Sequence, residues 1–363
     1  MRALVLNQVN TPMEIVDDLV LDKPREHEVL VRTAACGVCH SDLHFRQGTW
    51  TTFPLPLVLG HECAGIVEAV GSQVTYLRPG DHVVGCLTAF CGECEFCLTG
   101  RMYICAGRGL SRDASEPSRL SRGGKPVSQF VNLSGFAEQM LVHERALVKI
   151  DPSIPLDVAA VVGCAVTTGV GAAINTAKVR PGDTVAVVGC GGIGLNVIQG
   201  AKIAGASRII AIDRSEAKAQ AALAFGATDA VVSTDETAQL VLDMTDGGVE
   251  HAFEAVGLAV TAELAFRMLR VGGTATIVGL LPEGQEIKVT GTHLTFDRRL
   301  QGSNMGSNRF RIDIPRYLKM YEQGQLKLDE LISARITLDE VDHAMTELDH
   351  GDGITRSVAL FDV

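Results

Sequence analysis

Thr184-Val185-Ala186-Val187-Val188-Gly189-Cys190-Gly191-Gly192-Ile193-Gly194 is the stretch on which the fold turns. A short β-prone apolar run leads straight into G-x-G-x-x-G, and a helical pattern follows. In that context the glycine spacing marks a dinucleotide-binding turn. Gly189 permits the tight turn, Gly191 lets the backbone approach a pyrophosphate, and Gly194 allows close packing of helix on strand. Gly192 and Ile193 begin the helix whose N-terminus would face the phosphates. Asp213 closes the next apolar run, where a carboxylate accepts hydrogen bonds from an adenosine ribose. This favours NAD, because a 2′-phosphate would meet like charge; Arg214, next in the chain, pulls the other way.

Working outward, β-rich runs at 184–188, 208–212, 230–232, 249–255, 274–278 and, less clearly, 294–300 alternate with helical patterns. That rhythm predicts a doubly wound parallel sheet of βαβ units, and hence an α/β fold. Earlier residues read differently, with alternating segments at 28–33 and 64–70 separated by turn-rich stretches, as in a mostly β domain. Helical segments at 314–323 and 338–348, then a terminal run at 356–361, are expected to complete that first domain. The expected division is 1–165, with 304–363 returning to it, and 166–303. The polar segment 106–133 reads as a long functional or interface loop rather than a core element. Residues 158–177 are uncharged and about as long as a bilayer span. Their glycine-punctuated centre predicts instead a buried segment with turns.

A chain of 363 residues with 46% hydrophobic and 21% charged residues has the composition of a globular protein large enough for two cores. Its net charge of -11 supplies no basic footprint for nucleic acid or an anionic membrane, so neither is an expected partner. The opening residues turn polar too soon for an export signal, and the expected location is the cytoplasm. Ten cysteines there are thiols or metal ligands rather than a disulfide framework.

Cys91-x2-Cys94-x2-Cys97-x7-Cys105 matches a closed tetrahedral zinc site, with an iron–sulfur cluster or unligated thiols as alternatives. A second set is dispersed: Cys39 in CGVCHSDLH, His61 in GHE and Cys164 in VGCAVTTG. Two thiolates and an imidazole with a fourth position open describe a catalytic zinc, although spacing alone does not assemble them.

Together these motifs resemble those of the medium-chain zinc alcohol dehydrogenases, over nearly the whole chain and in the order of all elements. The likeness is greatest to the longer-loop branch containing animal alcohol dehydrogenases and thiol-dependent formaldehyde dehydrogenases. It implies a GroES-like, mostly β catalytic domain, a Rossmann cofactor domain, NAD, and two zinc ions per chain. Cys39, His61 and Cys164 would bind catalytic zinc, with Glu62 and Asp42 orienting the ligands. Cys91, Cys94, Cys97 and Cys105 would bind structural zinc. Ser41 matches the hydroxyl that touches the substrate oxygen, and His44 the solvent end of a proton relay. His40 and Arg356 correspond to positions near cofactor phosphates, and Thr168, Lys218, Arg214 and Val278 to further cofactor contacts. Trp50, Leu87, Phe130, Val131 and Leu280 would line an apolar pocket, although core packing explains Val131 and Leu280 equally well.

The implied activity is reversible oxidation of primary aliphatic or aromatic alcohols to aldehydes by hydride transfer to NAD. The rival is oxidation of the hydroxymethyl adduct of glutathione or a similar thiol. Arg108 and Arg112 would supply cations for it, but Gly109 stands where glutathione-using relatives place arginine. A nucleotide-binding protein without catalysis is disfavoured by the retained ligands, Ser41 and His44. A homodimer is expected, with a tetramer as the alternative.

Overall fold

The structure, a computed structural model, describes residues 1–113, 115–350 and 356–362, the side chains of Asp349 and His350 excepted. It divides into two compact units: Met1–Cys164 with Arg309–Gln323 and Leu328–Val363, and Ala165–Asn308 with Gly324–Lys327.

The second unit is built on a six-stranded sheet in the order Asp229–Val232, Arg208–Asp213, Thr184–Val188, Val249–Glu254, Leu269–Ile277, Arg299–Gly302. Every neighbouring pair is parallel. Thr184–Val188 lies in the middle because Val185, Ala186 and Val187 are fully buried, as a strand covered on both faces requires. Strand order reverses between Thr184–Val188 and Val249–Glu254, which opens a ligand crevice at their carboxyl ends. Helix Gly192–Ile203 packs Leu195, Val197, Ile198 and Ala201 inward.

Residues 294–300, expected as strand, are split. Helix Gly291–Thr295 ends near Asp297, whose φ of +60° is left-handed, and only Arg299–Gly302 pairs with the sheet. The residues 158–177 also depart from expectation. Helical turns run without a break from Leu156 to Ala177, relaxing into π-turns at Val162–Val166 and Ala172–Ala177. Glycine is tolerated there because helix neighbours come close: a Cβ on Gly163 would meet the Gly85 carbonyl oxygen at 2.4 Å. This helix is apolar and long enough to cross a membrane, yet 89% of its most apolar window is buried inside the protein.

The first unit centres on strand Glu28–Gly37, which pairs antiparallel with Glu62–Val70 along its length. Gln139–His143 and Arg356–Leu360 pair with it as well. A core of Val29, Val31, Leu133, Phe136 and Met140 fills the space beneath. The segment 106–133 is not the structureless loop its composition suggests. Leu120–Arg122 and Lys125–Gln129 form a hairpin turned by Gly123 and Gly124, both at positive φ, and Leu120 and Val127 enter a core cluster. The two apolar positions decide the outcome against a polar surrounding sequence.

Candidate metal centre and dinucleotide site

In the first unit, strand Glu28–Gly37 runs through Val38 to Cys39, which caps helix His40–Arg46. Asp42, one turn into that helix, is fully buried. Its Oδ2 accepts from the Cys39 backbone N–H at 3.3 Å, and its Oδ1 from the Gly60 N–H at 3.0 Å. Oδ1 also bonds His61 Nδ1 at 3.1 Å, which places the imidazole proton on Nδ1. His61 Nε2 is left buried with no hydrogen-bond partner. That orphaned nitrogen points at a lone pair meant for something other than protein.

Ligand atoms of Cys39, His61, Glu62 and Cys164 all lie within 4.8 Å of one another, Cys164 arriving on the π-turn Val162–Val166. Two thiols, an unsatisfied imidazole nitrogen and a nearby carboxylate fit zinc. Glu62 is wholly buried, and Arg356 donates to its Oε1 through Nη1. Burial lifts the Glu62 carboxyl to about 7 although the arginine opposes it. A hydrogen bond from Cys164 draws the Cys39 thiol well below its ordinary pKa against the effect of burial, with Arg356 helping. The pocket therefore favours a thiolate. A Cβ on Gly37 would stand 2.3 Å from Glu62 Oε2, so that position must be glycine for Glu62 to lie where it does.

Ser41 and His44, three residues apart and therefore on one face of helix His40–Arg46, are both half-buried, whereas His40 is exposed. Phe130 packs edge-on to His61 with ring centroids 5.4 Å apart. Phe45 and Phe53 close around Phe130 at 4.7 and 5.5 Å. Trp50, Leu87 and Val131 pack against the same core.

The four-cysteine lobe draws its ligand atoms equally close. Sulfur separations are 3.9 Å for Cys91–Cys97, 3.5 Å for Cys94–Cys97 and 3.8 Å for Cys94–Cys105. A tetrahedron with metal–sulfur bonds of about 2.3 Å has edges of about 3.8 Å, so one zinc ion fits without rearrangement. Backbone N–H groups of Cys91 and Gly107 donate to Cys105, and that of Cys94 to Cys91. A hydrogen bond from the Ala106 backbone leads in drawing the Cys94 thiol down to about 6.

Arg112, expected to offer a cation to substrate, is instead only 7% exposed and committed to Asp22 and Glu28. Arg119 joins it on Glu28. Glu28 lies 84 and 91 residues from these partners, a distance at which no local pattern could announce the cluster. Arg108 and Gly109 are exposed.

In the second unit, Gly189 has a φ of +96°, and a Cβ there would meet Val256 Cγ2 at 2.6 Å. A Cβ on Gly194 would fall 1.7 Å from the Gly189 carbonyl oxygen, while one on Gly191 would meet nothing within 4 Å. The open side of Gly191 is thus the free approach to the turn, bounded by the helix start at Gly192 and Ile193. Asp213 is fixed over this loop by N–H groups of Cys190 at 2.8 Å and Ser215 at 2.9 Å. Arg214 is exposed, and the Lys218 backbone N–H donates to the capping Ser215 hydroxyl. Thr168 is buried with its hydroxyl on Met305 Sδ, Val278 follows the strand Leu269–Ile277 at 9% exposure, and Leu280 beyond it is 40% exposed. Arg356, expected near a cofactor phosphate, has the Glu62 carboxylate as its partner.

Residues 25–152 match the family model of the alcohol dehydrogenase GroES-like domain, and 192–323 that of the zinc-binding dehydrogenases. An S-(hydroxymethyl)glutathione dehydrogenase of Saccharomyces cerevisiae is 39% identical over 93% of this chain and 90% of its own. An NDMA-dependent alcohol dehydrogenase of Amycolatopsis methanolica is 40% identical over 97% of each chain. Among solved structures, a benzyl alcohol dehydrogenase of Acinetobacter calcoaceticus aligns with a TM-score of 0.92 at 32% identity over 99% of each chain. The chain therefore belongs to the zinc-dependent medium-chain alcohol dehydrogenases, enzymes of GroES-like and Rossmann-type architecture that pair zinc with a nicotinamide dinucleotide.

Proposed function

We propose that this enzyme reversibly oxidises primary alcohols, aromatic and medium aliphatic, to aldehydes with NAD. The observation that carries the reading is the apolar setting of the metal site: buried Phe130 packs edge-on to His61 with Phe45 and Phe53 behind it, and half-buried Trp50, Leu87 and Val131 pack on the same core. Surroundings of that kind suit an apolar substituent better than a charged one. Cys39, His61 and Cys164 hold the catalytic zinc, and Glu62, kept beside them by Arg356, tunes the charge they feel. Cys91, Cys94, Cys97 and Cys105 hold the structural one. When bound, zinc supplies Lewis acidity and the dinucleotide supplies a hydride acceptor.

The protein's own part is to orient and to move a proton. Asp42 keeps His61 in the tautomer whose Nε2 can ligate. The Ser41 hydroxyl receives the proton of the substrate hydroxyl, and His44, one turn further along the same face, passes it to solvent. Asp213, already held by two backbone N–H groups, presents its carboxylate to the adenosine ribose and so prefers NAD to NADP.

A second reading, oxidation of a hydroxymethyl thiol adduct, is supported by the S-(hydroxymethyl)glutathione dehydrogenases among the relatives. It loses the support of Arg112 and leans on exposed Arg108. Assaying ethanol, hexanol, benzyl alcohol and secondary alcohols, and formaldehyde with and without glutathione, against NAD and NADP decides between them. Benzyl alcohol turnover without thiol is expected; turnover confined to formaldehyde plus thiol would reverse the choice. A homodimer in the cytoplasm completes the proposal. It is supported by exposed Leu294 and Phe296 beside the edge strand Arg299–Gly302, and by ten cysteines of which none forms a disulfide. Sedimentation measures the first.

A further inference from the structure

We propose that Ser111 is a specificity-determining residue that braces, from outside, a strained turn in the wall beside His61; the inference rests on the alcohol dehydrogenase reading above. Val131 adopts φ 45° and ψ 37°, and Asn132 and Ser134 follow at +63° and +76°. A β-branched residue in the left-handed region is a steric outlier, and such strain persists only where the surroundings over-determine it. The run begins one residue after Phe130, whose ring lies against His61. Phe130 itself is 2% exposed, so half-buried Val131 is the part of this turn that a substrate can meet.

The turn is closed by the Leu133 N–H on the Phe130 carbonyl at 2.9 Å, and side chains of Ser111 and Arg119 add restraints from outside. Ser111 Oγ donates to Asn132 Oδ1 at 2.9 Å. On the other flank, Arg119 Nη1 donates to Gln129 Oε1 at 3.4 Å. Gln129 Nε2 in turn donates to the carbonyls of Leu133 at 3.3 Å and Leu141 at 3.0 Å. The turn is thus gripped from both sides, and the gripping segment is anchored on Glu28 through Arg112 and Arg119. Arg112, which looked from sequence like a substrate-binding cation, is part of this anchor. Removing Arg119 or Glu28 would strand a buried charge and disturb much else. Ser111 is the restraint that can be removed cleanly, because its hydrogen bond lies at the surface. Without it the Asn132 side chain is released and Val131 can shift within the turn, which the Leu133 N–H on the Phe130 carbonyl still closes, displacing its isopropyl group. A wide aromatic substrate pressed against the wall feels that change, and a two-carbon alcohol does not.

Ser111→Ala is expected to lower kcat/KM for benzyl alcohol relative to ethanol by about fivefold, the size of one net hydrogen bond. KM for NAD and the melting temperature should stay unchanged. Ser111→Thr keeps the hydroxyl and should restore the ratio. In a Val131→Gly background, where the left-handed conformation carries no strain, Ser111→Ala should no longer move it. A wild type active on both alcohols whose ratio is unmoved by Ser111→Ala, or moved equally by Ser111→Thr, overturns the brace and leaves the alcohol dehydrogenase reading standing. A wild type that oxidises neither alcohol overturns both.

Discussion

Alanine placed at Gly194, and separately at Gly191, should weaken NAD binding by two routes that a stability measurement tells apart. At Gly194 the new methyl would sit 1.7 Å from the Gly189 carbonyl oxygen, and real Cβ contacts essentially never fall under 3.0 Å. The helix start must therefore retreat by about 1.3 Å, and because the obstacle is backbone no side chain can yield instead. Overpacking of this kind costs about 1–3 kcal/mol of stability. Displacing the phosphate-facing N–H groups by about 1 Å should also cost roughly 100-fold in affinity, or about 2.7 kcal/mol. Gly191 has φ −83° and nothing within 4 Å of its would-be Cβ. Alanine fits there without strain, so stability should hold or rise by about 0.4–1 kcal/mol as the unfolded chain loses freedom. Its methyl nevertheless fills the approach a pyrophosphate must use, and affinity should fall by at least about tenfold. Titration calorimetry with NAD, run beside urea unfolding of the same zinc-loaded samples, reads both quantities. Wild-type affinity in Gly191→Ala would refute the placement of the phosphates, and unchanged stability in Gly194→Ala would refute the packing argument.

Cys39→Ser should abolish turnover while leaving NAD affinity intact and reducing zinc from about two ions per chain towards about one by metal analysis; full activity would sink the ligand assignment. His44→Gln should slow turnover at low pH and be partly rescued by imidazole buffer, an unchanged pH profile counting against the relay. Glu28→Gln should destabilise the first unit by about 3–5 kcal/mol, because Arg112 and Arg119 lose their shared counter-charge in a buried place. Burial pushes the Glu28 carboxyl up, but hydrogen bonds from the two arginines outweigh it and hold it down at about 2. Its folded pKa is thus below the unfolded value, so its contribution is fully present above about pH 4.5 and is lost as pH falls towards 2. Acid unfolding of the variant should lack that component; an identical acid limb in wild type and variant would contradict it.

The second unit was largely legible because its strands are continuous apolar runs, and Thr184–Val188 coincides with its predicted bounds. Legibility failed where a few side chains override their surroundings. Leu120 and Val127 pull a polar, glycine-containing stretch into a hairpin, and Asp297 in a left-handed conformation divides a run that reads as one strand. At the metal centre the sequence, with the family resemblance, names the donors and the carboxylates beside them but not the partner of Glu62. Arg356 meets Glu62 because the last strand pairs beside Glu28–Gly37, a fact of topology rather than of spacing. Gly37 carried a faint signal, a glycine two residues before Cys39, but its reason is visible only when Glu62 occupies the space a methyl would take.

The pairing of Glu62 with Arg356 joins residues 294 apart, the second of them in the terminal strand Arg356–Leu360. Translation therefore releases Cys39, His61, Glu62 and Cys164 long before the cation that balances Glu62 has been made. A chain that lacks Arg356 therefore keeps every zinc donor and loses the charge that balances Glu62, a fault that no substitution at a ligand reproduces.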